Sequence, residues 1–420
     1  MRQTKLAVVG VLMAVLLAAS YGGLVLIARG QAGQPSGRAG QPGGQAAQPR
    51  PFGGPLAPDS PIAKGYNDAA KALAAVDDNP MIQWNYRIWC VTGYRTNGEA
   101  GTGQQIDALL DPEHDMMSPK GFIDPGHAKP MPPGGVQFMD SAWYFGNDSI
   151  GAVVVKVPEG LLLFDALSNP QEMETMVIAE MKRDGLNPAD FKYVFMGHQH
   201  GDHIGGANLI RQKYAPGVKF VMGQPDARGV ADARARVLAG DMGPARGPAP
   251  ARPPTPEQLA AQREARLMAL PDRIDIEVPA SPGMTTGAQR IRIGDQTEVV
   301  ATLTPGHTVG QMAVIVPVTY KGSPHKLAIW SGNDAANTAQ YAASFDFLRS
   351  IATLEKADAY INTHGYQGDA FKLLKQMKAN PDMANPFILG IDGVQRQLGI
   401  LADCQRAIGR RMLDGTWKHL

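Results

Sequence analysis

The sequence predicts a layered α/β domain, and three observations lead to this prediction. Short apolar runs separated by Gly, Asn, Asp and Pro begin at Val136, as expected for strands joined by tight turns. Four apolar residues between Pro170 and Asp184 recur at helical spacing: Met173, Val177, Ile178 and Met181. A further apolar run starts at Tyr193. Strand, helix and strand in this order favour helices packed on a sheet.

The other elements follow in chain order. Ile62 opens IAKGYNDAAKALAAV, which has helix formers with apolar positions at helical spacing. Residues 79–135 contain many Gly, Pro and Met residues, so we expect irregular structure there. Three short strands are predicted over QFMDSAWYF, IGAVVVKV and GLLLFDAL. Residues 229–274 indicate a helix, a Pro-Ala-Arg loop and a second helix, forming either a wall beside a site or a mobile surface insertion.

The run VFMGHQHGDHI, from Val194 to Ile204, carries the most informative motif. It places four side chains that suit zinc within six residues, directly after a predicted strand: His198, His200, Asp202 and His203. The order H-x-H-x-D-H supplies ligands for two neighbouring ions. Iron or manganese stays open as an alternative, although imidazole with one carboxylate suits zinc better.

Two further histidines have the same local context. His307 stands in LTPGHTVG after the apolar run VVATLTP, and His364 stands in YINTHGY after ADAYINT. All three histidine loops therefore follow predicted strands, and one sheet edge would bring them together. In contrast, His114 and His127 are isolated loop histidines, which are more often solvated than bound to metal.

These residues resemble the metallo-β-lactamase superfamily of hydrolases over residues 136–420. The Gly205-Gly206 pair after the motif and the Gly-His-Thr around His307 are typical of that family. Asp165, which ends LLLFDAL, looks like the aspartate that supports a ligand from behind in the family without binding metal. The closest similarity is to the third subclass of metallo-β-lactamases, whose sites contain no cysteine and whose chains often end on an Asn-Pro-Phe turn and a helix, as at Asn385.

The resemblance implies a fold and a ligand set. The fold would be the four-layer αββα sandwich, with the site along one sheet edge. The first of two zinc ions would be held by His198, His200 and His307. The second zinc would be held by Asp202, His203 and His364.

The implied chemistry is hydrolysis by a zinc-bound hydroxide, which Asp202 would orient as the catalytic residue. A β-lactam amide is the first substrate hypothesis and would make this an antibiotic-resistance enzyme. A lactone, thioester or other ester is the alternative, and a tethered protein that only binds metal is a third hypothesis.

Two departures from the family pattern bear on the substrate. Glyoxalase II-like thioesterases have a metal-bridging aspartate after the strand that here reads AIWSGNDAAN, and either Asn333 or Asp334 occupies that position. These two residues would bridge the metals or contact substrate. The segment QMAVIVPV after Gly310 lacks the serine-tryptophan pair that is common in true lactamases.

Composition restricts the partners and indicates the compartment. The net charge of +1, with 19% charged residues, provides no basic surface for nucleic acid, so we expect a small-molecule substrate. Residues 1–30 place Arg2 and Lys5 before a long apolar stretch, which predicts an export signal and a periplasmic protein. Cleavage near Ala19 or Ala32 and retention as a membrane anchor both stay open, and the membrane would be contacted only through this segment.

The remaining predictions concern organisation. Residues 31–61 are rich in Gly, Pro, Gln and Ala, so we expect a flexible linker, followed by an N-terminal extension over residues 62–135. The two cysteines, Cys90 and Cys404, lie far from the histidine loops in sequence and are not expected to bind zinc. They either pair in an oxidising compartment or stay as buried thiols.

Overall fold

The computed structural model describes residues 59–92, 135–147, 149–242, 254–333 and 337–415. Across these ranges, none of the helices combines the length and the apolar character that a membrane span requires. The predicted export signal of residues 1–30 lies outside the described residues, as do most of the linker, His114, His127 and Asp334.

A seven-stranded sheet forms one of the two central layers. Its strands are β1 Val136–Met139, β2 Ala142–Gly146, β3 Gly151–Val157, β4 Gly160–Phe164, β5 Phe191–Met196, β6 Lys219–Gly223 and β7 Ile276–Val278. They lie side by side in chain order. The pairs from β1 to β4 are antiparallel and those from β4 to β7 are parallel, so helical crossovers are required only in the second half.

A five-stranded sheet forms the other central layer, in the order β12-β11-β10-β9-β8. Its strands are β8 Gly287–Ile293, β9 Thr297–Leu303, β10 Met312–Tyr320, β11 Ser323–Trp330 and β12 Ala359–Asn362. Only the β11–β12 pair is parallel. The helix α8, Thr338–Glu355, provides the crossover between these two strands.

Strands of the seven-stranded sheet are buried on both faces. Along β5, Tyr193 and Phe195 face a core shared with the five-stranded sheet, whereas Val194 and Met196 face a second core under helices. Successive side chains of a strand point to opposite faces, so a run such as FKYVFM that is apolar on both faces must be covered on both. Phe164 of β4 stacks on Phe195 with ring centroids 5.0 Å apart in the core between the sheets.

Helices cover the outer faces of both sheets and complete an αββα sandwich, as the sequence resemblance implied. The helices beside the seven-stranded sheet are α3 Pro170–Arg183 (with a π-helical middle turn, Met173–Ile178), α4 Gly201–Ile204, α5 Ala207–Leu209 (continued by the π-helical turn Ile210–Tyr214), α6 Gln224–Leu238 and α7 Pro256–Ala269. Those beside the five-stranded sheet are α8, α9 Ala370–Ala379 and α10 Gly390–Leu413.

The N-terminal extension adds helices to the α10 side. Helix α1, Pro61–Ala75, begins at the predicted position, with the Ser60 hydroxyl accepting a hydrogen bond from the Ala63 amide. Helix α2, Pro80–Tyr86, continues into a π-helical turn, Arg87–Thr92. The expectation of irregular structure from residue 79 was therefore wrong over residues 80–92, where the Asn79 side chain caps a buried helix.

Long-range links attach this extension to the rest of the chain. Cys90 and Cys404 form a disulfide, with Cα atoms 4.7 Å apart, which decides between the two states that the sequence left open. Arg411 of α10 makes a bidentate ion pair with Asp59, at 2.7 Å for both contacts. These contacts attach the segment before α2 and the segment after it to the same helix.

Two strand predictions need correction. The run QFMDSAWYF forms two strands, because the chain turns at residues 140 and 141 and pairs β1 with β2. The run GLLLFDAL leaves the sheet after Phe164, since Asp165 and Leu167 have φ values of 64° and 51° that end the extended backbone.

Candidate metal centre

The three histidine loops leave the sandwich at one edge. The loop with His198, His200, Asp202 and His203 follows β5. His307 follows β9, and His364 follows β12. Gly197 at the start of the first loop packs directly against Ser331, the residue that follows β11, because a Cβ atom there would lie 1.6 Å from Ser331 Oγ. The fold therefore brings residues from both sheets to one site.

His198, His200 and His307 form the first group of ligand atoms. Nδ1 of His200 lies 3.0 Å from Nε2 of His198 and 3.0 Å from Nε2 of His307. Three nitrogens bound to one tetrahedral zinc at 2.0–2.1 Å would be about 3.3 Å apart. The group is therefore close to the spacing that one ion needs. His198 is buried and His200 is exposed, so the group opens to solvent on one side.

Asp202, His203 and His364 form the second group, whose ligand atoms lie within 4.8 Å of one another. Nε2 of His203 is 3.3 Å from Oδ2 of Asp202. The His203 and His198 rings are adjacent, with centroids 3.9 Å apart, so the two groups share a wall. All six residues predicted as ligands thus lie in two adjacent triads.

Each buried histidine of the second group has its other ring nitrogen engaged. Nδ1 of His203 lies 2.7 Å from Oδ2 of Asp165, and Nδ1 of His364 lies 2.8 Å from the carbonyl oxygen of Ser149. Both acceptors favour the tautomer that carries its proton on Nδ1. The Nε2 atoms of both rings then face the site: that of His203 lies 3.3 Å from Asp202 Oδ2, and that of His364 is buried and makes no hydrogen bond to any described residue.

Asp165 supports this arrangement from behind, as predicted. Its Oδ1 accepts a hydrogen bond from the Gly197 amide at 2.8 Å, and its Oδ2 accepts one from Thr363 Oγ1 at 2.6 Å. The carboxylate therefore contacts His203 and the residues that immediately precede His198 and His364. It joins the β5 and β12 loops and lies behind the ligand atoms.

Burial and charge set the protonation of the groups. Burial lowers the pKa of His364 to about 4, and the charge of His203 acts in the same direction. Burial likewise lowers the pKa of His198. For His203, burial opposes the charged form, but Asp202 and Asp165 outweigh it and raise the pKa. Burial raises the pKa of Asp202, but the charge of His203 and its hydrogen bond lower the pKa by more than burial raises it. The pKa of Asp202 therefore falls well below its ordinary value.

This donor set fits zinc. At neutral pH His198 and His364 are neutral and Asp202 is ionised, which are the forms that bind metal. In the absence of a cation, a proton on His203 offsets the carboxylates of Asp165 and Asp202, and a bound cation would take over that role. A donor set of imidazoles with a single carboxylate suits zinc better than it suits hard cations, which prefer oxygen ligands.

The family model for the metallo-beta-lactamase superfamily matches residues 146–318. Residues 146–318 belong to the metallo-beta-lactamase superfamily. The match contains five of the six candidate ligands, and His364 lies beyond its end.

Solved structures similar to this one include metallo-beta-lactamases from three bacteria. The Cronobacter sakazakii enzyme with a HARLDQ motif has 19% identity and a TM-score of 0.49, over 70% of this chain and 98% of that one. BJP-1, a subclass B3 enzyme of Bradyrhizobium japonicum, has 19% identity and a TM-score of 0.47, over 70% and 98%. FEZ-1 of Legionella gormanii has 17% identity and a TM-score of 0.44, over 64% and 92%.

A buried carboxylate that sequence reasoning missed supports the first group in this metallo-beta-lactamase domain. Asp226, at the start of α6, accepts hydrogen bonds from the Gln199 amide at 3.0 Å, the Thr308 hydroxyl at 2.6 Å and the Gly310 amide at 2.9 Å. It therefore joins the His198–His200 loop to the His307 loop. Burial raises its pKa, against the hydrogen bonds that lower it. A lone aspartate in GQPDARG carries no motif that would have revealed this role.

The position after β11 bears on the bridging residue. Asn333 is buried and its Nδ2 donates a hydrogen bond to Tyr366 Oη at 3.1 Å. An amide carries no charge, so Asn333 does not provide the anionic bridge found in thioesterases of this superfamily. Gln311, where the serine-tryptophan pair is missing, is also buried and its Nε2 donates to Tyr341 Oη at 3.2 Å.

The two inserted helices differ in burial and in what they contact. Helix α6 lies against the first metal loop, since a Cβ atom on Gly229 would be 2.2 Å from Gln199 Oε1. It therefore forms a wall of the site. Helix α7 has no buried residue, although Asn208 holds its C-terminal end through bonds from Nδ2 to the carbonyls of Met268 at 3.1 Å and Leu270 at 2.6 Å.

Proposed function

We propose that this protein is a dinuclear zinc hydrolase whose substrate is the amide bond of a β-lactam. The observation that supports this most is the pair of adjacent triads, each with a buried carboxylate behind it: Asp226 for the first and Asp165 for the second. Asp165 contacts the candidate ligand His203 itself, and Asp226 holds residues that are next to His198, His200 and His307 in the chain or close to them. A structural cluster of histidines would not need both carboxylates. Outer partners of this kind orient metal ligands in enzymes.

Bound zinc would supply a Lewis acid for the carbonyl and would lower the pKa of water to about 7. The chain's own groups would then position the reactants. Asp202 is half-exposed and ionised, so its carboxylate faces the open side of the site and would ligate the second ion and orient water. His200 and His307 line the same open side, where substrate would enter.

Two residues could take the position where thioesterases of the superfamily use a bridging carboxylate. Asn333 is an uncharged amide bonded to Tyr366, and Asp334 lies outside the described residues. We assign the position to Asn333, and on this assignment the lactam is preferred over the thioester. Expulsion of an amide nitrogen needs a cation to bear its charge, and the second triad would hold that cation. The disulfide Cys90–Cys404 supports the proposal that the protein is exported to an oxidising compartment, the periplasm.

A lactone or another ester is the second candidate. The segment after Gly310 favours it, because Gln311 stands where lactamases have the serine-tryptophan pair and is buried rather than exposed to substrate. The ligand set would serve this reaction equally well, since an alkoxide leaves more readily than an amide nitrogen. The two candidates therefore differ in substrate and share the metal centre.

The test has two parts. Full-length protein should contain about two zinc ions by elemental analysis, and it should hydrolyse a chromogenic cephalosporin faster than an aryl lactone or a thioester. An intact fold that binds no metal would overturn the dinuclear site. Two bound ions with rapid lactone or thioester cleavage and an inert cephalosporin would overturn the lactam assignment alone.

Variants of two histidines, one inside the site and one outside it, test whether activity depends on the site. We expect His200→Ala to lower kcat/KM by more than about 100-fold, because loss of residues that merely support a ligand already costs 10–100-fold. His325→Ala is the matched control. His325 lies on β11 beside Asp358, with Nδ1 2.8 Å from Oδ2, and away from both triads, so activity should be unchanged.

A further inference from the structure

The loop after His364 is held by a segment that belongs to the N-terminal extension. Indole Nε1 of Trp84 donates to the carbonyl oxygen of Tyr366 at 2.9 Å. Indole Nε1 of Trp89 donates to Gln367 Oε1 at 3.0 Å. These are buried side chains from α2 and the following π-helical turn, and each contacts a residue within three positions of the ligand.

A third contact fixes the next residue of the loop. The Gly368 amide donates to Asn85 Oδ1 at 2.9 Å. Gly368 has a φ of 64°, and a Cβ atom there would be 2.6 Å from Met81 Cγ, so the loop lies directly on α2. Residues 366, 367 and 368 are therefore each attached to one of Trp84, Trp89 and Asn85.

The same segment is attached to the body of the protein at its far end. Cys90 is bonded to Cys404 of α10, and the Cys90 carbonyl accepts a hydrogen bond from Arg411 Nη1 at 3.2 Å. At its near end, Asn79 Nδ2 donates to the Pro386 carbonyl at 3.0 Å. Residues 80–90, which we name the anchoring segment, are thus fixed at both ends and present three side chains to the loop.

The loop's own contacts show why support from outside matters. His364 lies two residues beyond β12, and its backbone amide donates to Asn362 Oδ1 at 2.7 Å. Beyond it, Asp369 has a φ of 56° and Gly368 one of 64°, a conformation that residues with a Cβ adopt at a cost. Contacts from elsewhere must hold such a turn, and the anchoring segment provides them.

We propose that the anchoring segment is a positioning element for the second metal site. It fixes residues 366–368, and through them the direction of His364 Nε2, so that the second triad is formed before metal binds. This inference rests on the proposed function, because it assigns His364 to a bound ion. The three hydrogen bonds from the anchoring segment go to the loop of His364, whereas the first triad is carried by the loops after β5 and β9.

The conservative variants Trp84→Phe and Trp89→Phe test this by removing the donors while keeping aromatic rings in place. Zinc titration of the metal-free full chain by calorimetry should give two steps, the second identified by its absence in His364→Ala. We expect either variant to weaken the second step by about 10- to 100-fold, as for other outer partners of metal ligands, and to leave the first within about twofold. Trp143→Phe, in the core on the other face of the seven-stranded sheet, is the matched control.

A measurement on the unaltered protein covers the case in which the variants fail to fold. Coupling between two sites is reciprocal, so a segment that favours metal binding must itself be stabilised by the metal. Hydrogen exchange of backbone amides in residues 80–90 should therefore slow by about tenfold or more between one and two equivalents of zinc. Exchange in α7 should not change.

The outcomes separate the two proposals. If the wild-type chain takes up two ions but exchange in residues 80–90 is insensitive to the second, or both tryptophan variants bind the second ion with wild-type affinity, the positioning role is overturned and the dinuclear site stands. Uptake of no second ion by the wild-type chain would overturn both. Loss of both steps in the phenylalanine variants, with an intact fold, would show a general structural role instead.

Discussion

Oδ2 of Asp165 lies 2.7 Å from Nδ1 of His203, and both side chains are almost completely buried. A buried carboxylate needs a partner that stabilises its charge, and the imidazole N–H is such a partner. The contact fixes the ring so that Nε2 faces the second triad. It also makes the carboxylate a determinant of how well that triad binds a cation.

Asp165→Asn should therefore weaken the second site selectively. The amide keeps the size of the side chain but loses the charge that favours an Nδ1–H tautomer, and we expect an affinity loss of about 10- to 100-fold. Calorimetric zinc titration in a His200→Ala background would isolate this site. Thr363→Val, which removes another hydrogen bond to the same oxygen, should have a smaller effect. Equal affinities for Asp165→Asn and its parent would contradict the role assigned to the carboxylate.

Asp226 makes the corresponding prediction for the first site. The two carboxylate oxygens of Asp226 accept three hydrogen bonds, and Asp226→Asn leaves only one acceptor oxygen. The variant therefore loses part of the hydrogen bonding that joins the loops of His200 and His307. We expect the first zinc to bind about tenfold or more weakly. Titration in a His364→Ala background measures this step alone. Asp232→Asn, on an exposed position of the same helix, is the control and should match its parent.

The grouping of the candidate ligands could be predicted from the sequence because metal binding requires particular residue types at short spacing. H-x-H-x-D-H places four candidate ligands in one loop, and a strand before each histidine loop implies a common sheet edge. The αββα layering followed from family resemblance, whereas the burial of both faces of β5 in two separate cores became visible only in the structure. Local pattern thus predicted which residues the structure brings together and the loops that carry them.

The residues behind the ligands were not accessible in the same way. Thr308 and Asp226 are 82 positions apart, and Trp84 and Tyr366 are 282 apart. The two cysteines are separated by 314 positions, and their pairing depends on where α2 packs against α10. No spacing rule connects such pairs, since tertiary packing alone brings them together. Asn333 illustrates the same limit, because its contact with Tyr366 depends on the register of β11 and β12.

Glu355 gives a prediction for stability against pH. It is 6% exposed and lies 2.7 Å from Lys326 Nζ, with a second contact to Arg290. Burial raises its pKa, but the hydrogen bonds from Lys326 and Arg290 outweigh this and lower the pKa. A lowered folded-state pKa contributes stability above the unfolded value of about 4.3, which is lost as pH falls through the folded pKa.

Glu355→Gln should accordingly reduce the free energy of unfolding at pH 7 by about 1 kcal/mol, a modest value because both cationic partners are exposed. The difference from wild type should shrink as the pH falls below about 4.3. Urea unfolding at a series of pH values measures both. Glu298→Gln, which removes the more exposed partner of Arg290, should cost less. A difference that stays constant from pH 7 to pH 3.5 would show that packing, and not charge, is responsible.

Gly197 tests whether close packing between the two sheets places the first metal loop. A Cβ atom at this position would lie 1.6 Å from Ser331 Oγ and 2.7 Å from Ser331 Cβ, so Gly197→Ala forces β5 and β11 apart. Overpacking of this kind costs about 1–3 kcal/mol. We expect that loss in urea unfolding, together with weaker binding of the first zinc. Ser331→Gly removes both clashing atoms, so the double variant should recover most of the stability and the affinity, giving a favourable coupling energy in the mutant cycle. Additive losses would mean that the glycine is required for its backbone conformation and not for space.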